Sequence, residues 1–166
     1  MNNPLSGITV KTPVGPLALI SDGATLLGAA FGDIDELAAR LDPVFIERGL
    51  NTVKSIPGIS DEVRRYFDGD LRAFDHIKVK QPGGTFSQNA WSAMRKVKPG
   101  ALISYADLAA KSGSPAAVRA AGSACARNLI APIIPCHRIV RSDGGLGGYG
   151  FGLPTKTWLL KHEGAL

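Results

Sequence analysis

Apolar residues come in short runs over the first part of the chain. Gly7–Thr12, Pro16–Ser21 and Thr25–Phe31 are separated by a Pro13-Val14-Gly15 turn signal and an Asp22-Gly23 turn signal, the pattern of three antiparallel strands in a meander. The period changes at Asp33. Asp33 is placed to cap a helix, Glu36 stands three residues on, and Leu37 and Leu41 follow at helical spacing. A second helix is expected over Asp61–Phe67, with Val63 and Phe67 on one face. Phe74–Val79 is expected to return to the sheet. This half holds no cluster of Cys, His or paired acids that calls for chemistry.

Gln81-Pro-Gly-Gly84 reads as a linker, which divides the chain into a first domain over 1–80 and a second over 85–166. In the second, Thr85-Phe-Ser-Gln88 has the form of a capping box, followed by an apolar stripe of Phe86, Ala90, Met94 and Val97. Pro99-Gly100 closes that helix. Ser104-Tyr-Ala-Asp107 is another capping box, before Leu108 and Ala109. After the Lys111–Ser114 turn, Pro115 is expected to open a helix running through Arg119 and Ala120 to about Ala126. Two short helices about a Gly-containing turn form a helix-turn-helix pattern. The small Ala and Gly face of the second helix suits close approach, either to another helix or to DNA. The whole is an α+β protein whose second domain is mostly helical.

Composition narrows the class. The chain has 166 residues, 45% of them hydrophobic and 20% charged, ordinary for a globular protein and wrong for a disordered one. It is too short for a large enzyme barrel, and no apolar run reaches the length of a membrane span. The N-terminus lacks a secretory pattern. Two cysteines exclude a disulfide framework and are too few for a structural zinc site, so an intracellular, cytoplasmic setting is expected. The net charge of +5 is unevenly spread. Residues 81–166 carry ten Lys and Arg against only Asp107, Asp143 and Glu163, whereas residues 1–80 are slightly acidic. Such asymmetry points to a polyanionic partner for the second half.

The densest chemistry lies in Ile133-Ile-Pro-Cys-His-Arg-Ile-Val140. A lone Cys is commonly a small buried hydrophobe, but Cys136 has His137 and Arg138 beside it, and neighbouring His and cationic groups favour the reactive thiolate. Side chains adjacent on an extended chain point to opposite sides, so His137 reaches Cys136 only through a bend or a water. Spacing alone leaves both the nucleophile and the core residue open. Gly145-Leu-Gly147-Gly-Tyr-Gly150 matches a dinucleotide-binding pattern, but too little chain follows for a βαβ unit, and it reads as a close-approach loop. Cys125 sits on the Ala-rich helix as a core residue, and His76 and His162 have no visible ligand partners. Glu163 ends a helix carrying Trp158, Leu159 and Leu160. It is either a surface acid or the group that orients His137.

Pro135-Cys-His-Arg-Ile-Val140 strongly resembles the active-site signature of the O6-alkylguanine-DNA alkyltransferases, also called methylated-DNA–protein-cysteine methyltransferases. The resemblance covers about residues 85–164, including Ser104-Tyr105, Arg119-Ala120, Asn128, the glycine loop around Tyr149 and Trp158-Leu-Leu-x-His-Glu163. It implies a ribonuclease-H-like first domain and a winged-helix-like second. It implies DNA repair by single, irreversible transfer of the alkyl group of O6-alkylguanine, and possible action on O4-alkylthymine, in flipped-out form from double-stranded DNA. Cys136 would be the acceptor, His137 would act through a water on the thiol, and Glu163 would hold the imidazole. Asn128 would brace the turn near the cysteine. Tyr105, with Ser104, would meet the DNA backbone, and Tyr105 would donate to the guanine ring. Arg119, beside Ala120, would fill the stack left by the flipped base. Tyr149 and Gly150 would close on the base, with Cys125 and Ile139 also lining its pocket. No cofactor, metal, membrane or obligate protein partner is implied.

The sequence departs from the family pattern at Val118, Cys125, Arg127 and Gly150, none of which removes a reactive group. Three other readings compete. A lesion-binding protein without transfer activity would lack the thiol that Cys136 supplies. A thiol hydrolase leaves Arg119 and the charge asymmetry unexplained. A transcriptional regulator needs further modules not seen in this sequence.

Overall fold

Residues 3–166 are described in a computed structural model. They divide into two units. One comprises the chain up to Pro82 together with Leu129–Ile133, and the other comprises Gly83–Asn128 and Ile134–Leu166. The elements make a mixed α+β protein.

In the first unit, β1 (Leu5–Thr12), β2 (Gly15–Asp22) and β3 (Thr25–Phe31) form the antiparallel meander. Helices α1 (Ile34–Ala39) and α2 (Pro43–Ile46) follow, then β4 (Leu50–Thr52), α3 (Ser60–Phe67) and β5 (Lys78–Val79). The sheet order is β4-β1-β2-β3-β5, with β4 parallel to β1 and β5 parallel to β3. The central strands are buried without alternation, Leu17 to Ile20 completely, as befits strands covered on both faces. Asp33 caps α1 by accepting from the Glu36 amide at 3.3 Å. On α3 the buried apolar residues are Val63 and Tyr66, not Phe67. Tyr66 stacks on Phe74 with ring centres 4.2 Å apart, which holds Phe74 out of the sheet and shortens the expected Phe74–Val79 strand to β5.

The excursion Leu129–Ile133 was not legible from the sequence, which assigned 85–166 to one continuous stretch. Leu129 donates to the Gln81 side chain at 2.8 Å. Ala29 donates to the Leu129 carbonyl at 2.8 Å, and Ala131 donates back to the Ala29 carbonyl at 3.0 Å. The Leu129 carbonyl and the Ala131 amide are thus satisfied by β3, and the Leu129 amide by Gln81.

The second unit runs α4 (Thr85–Lys96), β6 (Ile103–Ser104), α5 (Tyr105–Lys111), α6 (Val118–Ala126), a 3-10 turn (Cys136–Arg138), β7 (Ile139–Val140) and α7 (Leu153–His162). Thr85 is the first residue of α4 and Gly84 the cap, so the Thr85–Gln88 capping box does not form. The Ser104–Asp107 box does: Asp107 N–H donates to Ser104 Oγ at 3.0 Å and Ser104 N–H to Asp107 Oδ2 at 3.2 Å. The next helix starts at Val118 rather than Pro115, because Pro115 and Ala116 lie in a turn closed by the Ala117 amide on the Ser114 carbonyl, 2.9 Å. Ala121 and Ala124 of α6 are fully buried, and their small side chains let Trp91 Nε1 of α4 reach the Ala124 carbonyl at 2.9 Å. Packing thus uses one side of the Ala-rich helix, while Val118 and Arg119 remain exposed. Among the described residues, no helix is long and apolar enough to cross a membrane.

Candidate active site

Pro135 leads into the 3-10 turn that carries Cys136, His137 and Arg138, and β7 leaves it to pair with β6. The turn supplies the bend that an extended chain would lack. In it, successive side chains fan apart by about 120°, so Cys136 and His137 address different neighbours.

Cys136 Sγ lies 3.4 Å from Asn128 Nδ2, which also donates to the Ile134 carbonyl at 2.8 Å. Asn128 is the last residue before the excursion and Ile134 the first after it, so one amide both closes the two ends of the loop and touches the sulfur. Burial pushes the Cys136 thiol up. The Asn128 hydrogen bond and the charge of Lys156 act against that, favouring the thiolate.

His137 is completely buried, with Nε2 2.8 Å from Glu163 Oε2. Burial lowers the imidazole pKa despite the neighbouring carboxylate, which favours the neutral ring. Glu163 can only accept when ionised, so the proton belongs on Nε2, and Nδ1 is left as an acceptor. Nδ1 is buried and has no protein partner. Burial would raise the Glu163 carboxyl, but hydrogen bonds from His137 and Arg138 override it and hold the group well below the usual carboxylate range. Arg138 donates from Nε to Oε1 at 2.8 Å and from Nη2 to Oε2 at 2.9 Å. Its Nη1 reaches the Val97 carbonyl at the end of α4, 2.6 Å away. Glu163 is therefore the buried anchor of both side chains that follow the cysteine.

The glycine loop is tied down by Lys156 on α7, whose side chain is fully buried. Its ammonium donates to the carbonyls of Ile139, Leu146 and Gly148. Burial lowers its pKa, while the two nearby thiols pull the other way. Gly147 has a positive φ of 75°, and a Cβ there would fall 2.9 Å from Tyr105 Oη. Only glycine lets the loop come this close to Tyr105. The Tyr149 ring meets His137 edge-on at 6.4 Å and Phe151 at 5.4 Å.

The other residues singled out in the sequence fall as follows. Cys125 is half-buried on α6, and burial followed by the proximity of Cys136 drives its thiol far above the ordinary range. Tyr105, at the start of α5, is also raised by burial and by both thiols. Ile139 lends its carbonyl to Lys156, and Gly150 is exposed at the loop tip. Ser104 Oγ is occupied in capping α5. Arg119 is exposed, and Ala120 is partly covered beside it. The fold brings Cys136, Asn128, His137 and Glu163 together, with Tyr149 against the imidazole; Arg119 and Ala120 stand apart on α6. Sequence reasoning missed Arg138 as a partner of Glu163, and also Lys156 and Gly147. Among the described residues, no group of three His, Cys, Asp or Glu could hold a metal.

With this geometry in hand, comparison with known proteins is informative. Residues 85–165 match the family described as 6-O-methylguanine DNA methyltransferase, DNA binding domain. The chain is 35% identical to the methylated-DNA–protein-cysteine methyltransferase of Salmonella typhimurium over 95% of its own length and 94% of that protein. It is 41% identical to the protein of the same name from Methanosarcina acetivorans, over 93% of this chain and 96% of the relative. Its structure superposes on that of Mycobacterium tuberculosis OGT in complex with DNA with a TM-score of 0.82 and 32% identity, covering 96% and 93% of the two chains. A thiol-bearing turn in a mixed α+β chain with these relatives defines a class of cysteine-dependent DNA-repair proteins. The chain belongs to the methylated-DNA–protein-cysteine methyltransferase family.

Proposed function

We propose that this protein repairs DNA by transferring the alkyl group of O6-alkylguanine in double-stranded DNA irreversibly to Cys136. The carrying observation is the sulfur's setting: Asn128 hydrogen-bonded to it, Lys156 charge near it, and a buried His137–Glu163 pair next in the chain. The thiol proton passes through a water to His137 Nδ1, whose acceptor state the Glu163 bond secures. The thiolate attacks the sp3 carbon, a C–S bond forms, and the O6–carbon bond breaks. The electron pair stays on guanine, which takes a proton at its ring from the Tyr105 hydroxyl. The thioether has no easy route back, so each molecule acts once.

The target lies inside a duplex and must leave the stack, at a cost of about a few kcal/mol. We assign the first unit to the ribonuclease-H-like type and α5–α6 to a helix-turn-helix of winged-helix-like type, with the exposed side of α6 entering the minor groove. Arg119 fills the gap left by the flipped base, its flat guanidinium stacking where a lysine would not. Tyr149, Gly150, Cys125 and the Ile139 backbone line the base pocket, and Ser104 and Ala120 border the DNA. The absence of a disulfide framework supports a cytoplasmic site of action. The test is titration of an O6-methylguanine duplex with purified protein: one guanine restored per molecule without turnover supports the reading, and catalytic turnover or no restoration overturns it.

A further inference from the structure

A groove of about 600 Å³ lies wholly within the second unit, between α4, the loop after it, β6 and the end of α5. Its floor is apolar: Ala93 and Val97 are buried and Ile103 is partly so. Its rim carries Lys96, Lys98 and Lys111, all exposed. The two helical walls are pinned together where Asn89 Nδ2 donates to the Ser112 carbonyl at 3.4 Å.

Among the described residues, none of the three lysines has an acidic partner in an ion pair. The acids of this unit are spoken for: Glu163 is buried between His137 and Arg138, Asp107 caps α5, and Asp143 binds Arg141 at 2.7 Å. The groove's lining thus carries three lysines and no acid. Three lysines line one concavity whose floor is apolar, which concentrates positive charge there. A sugar-phosphate backbone fits this pattern: phosphates meet the ammonium rim and deoxyribose carbons meet the floor. Point charges without guanidinium forks suit a contact that positions a strand and does not read its bases. Val97 lends its backbone carbonyl to Arg138, and the groove otherwise shares no residue with the site around Cys136 or with the exposed side of α6.

We propose that this groove is an auxiliary binding site for the phosphodiester backbone of nucleic acid, additional to the α6 surface. The proposal rests on the reading of the protein as a DNA-repair alkyltransferase but concerns residues other than those of α6. An acidic protein segment is the competing occupant. Its rarer, flexible charges exploit this concentrated positive charge less well than a regular polyanion does.

The test uses the full chain with Lys96, Lys98 and Lys111 all changed to Gln. A control variant carries Gln at Lys78, Lys80 and Lys161, exposed lysines outside the groove, and so has the same net charge. Affinity for an unmodified duplex is measured across salt concentrations for both variants and the parent. Each lost phosphate contact lowers the slope of log affinity against log salt by about 0.9. The groove variant is expected to lose about 2 to 3 from that slope and the control less than about 1. Equal changes in both variants, or an unchanged slope in the groove variant, overturn the proposal, the latter leaving an acidic protein as occupant. Methyl or benzyl transfer from the free modified base, which needs no duplex, is measured alongside. It is expected to be unchanged in both variants. Loss of transfer in the parent would instead count against the alkyltransferase reading, which separates the two failures. A matching thermal melt shows that the variant is folded.

Discussion

Asn128 holds the Cys136 sulfur at 3.4 Å with the same amide that grips the Ile134 carbonyl at 2.8 Å. The residue thus couples the shape of the loop to the ionisation of the thiol. Asn128→Ala removes a donor that favours the thiolate and takes one of two hydrogen bonds from the Ile134 carbonyl, which keeps the Cys136 amide at 2.9 Å; the loss is about 0.5–1.5 kcal/mol. The pH profile of Cys136 reaction with a small alkylating reagent should shift to higher pH. Asn128→Asp, which keeps the shape and supplies a negative charge, should shift it further. An unchanged profile in both variants would separate Asn128 from the thiol.

Glu163 serves two buried cations or proton donors at once, so its loss should be severe. Glu163→Ala strands the Arg138 guanidinium in the interior and should destabilise by about 3–5 kcal/mol, measured by chemical denaturation. Glu163→Gln is expected to recover part of that stability but little alkyl transfer, because the amide no longer fixes which His137 nitrogen holds the proton.

The pH dependence of stability follows from the same groups. His137 is held below its ordinary value near 6.5, so the unfolded chain binds more protons there, and its contribution is lost as pH falls from about 6.5. Glu163 is also lowered, and its contribution fades further as pH drops below about 4.5. Cys136 is raised, so its contribution is present at neutral pH and is lost as pH rises past about 9. Denaturation midpoints should therefore be greatest between about pH 6.5 and 9 and decline on both sides. Stability that kept rising below pH 6 would contradict the buried neutral imidazole.

Much of this was legible in the sequence because it was local. The meander announced itself by turn residues between apolar runs, and the Ser104–Asp107 box by its spacing. Residue type and spacing left Cys136 open between nucleophile and core residue and Glu163 open between surface acid and partner of His137, and the family resemblance singled them out. What the sequence concealed depended on tertiary contacts. Lys156 sits in a helix where a lysine ordinarily reads as solvated, and only the returning loop supplies its three carbonyls. Arg138 follows a histidine, and nothing in the spacing says that both meet one carboxylate. Gly84 displaced Thr85 as the cap of α4, and the Ser114–Ala117 turn consumed Pro115, because capping residues compete and local patterns do not rank them. The five-residue visit of Leu129–Ile133 to β3 is carried by backbone hydrogen bonds, which leave no mark on side-chain periodicity.

Lys156→Met keeps the volume and removes the three donors. Amide exchange should speed up through residues 145–150, and alkyl transfer should slow, since the loop is freed and a charge near Cys136 is lost. Protection equal to that of the parent would show that the loop holds itself.

Gly147→Ala puts a Cβ against Tyr105 Oη at a backbone angle that L-residues rarely adopt. A stability loss of about 1–2 kcal/mol is expected, with a change in Tyr105 fluorescence or chemical shift. A silent substitution would mean that the loop and the tyrosine are not in contact in solution.

Arg119→Ala should slow repair of a lesion duplex far more than reaction with the free base O6-benzylguanine, and Arg119→Lys should rescue little. Equal losses on both substrates would assign Arg119 to the fold or the thiol.

The central claim is that Cys136 takes the alkyl group. Mass spectrometry of peptides from protein mixed with an O6-methylguanine duplex tests it directly. One methyl group per chain on the peptide containing Cys136, and none after Cys136→Ala although the duplex is still bound, is the expected result; methyl found on Cys125, or on no residue, contradicts it.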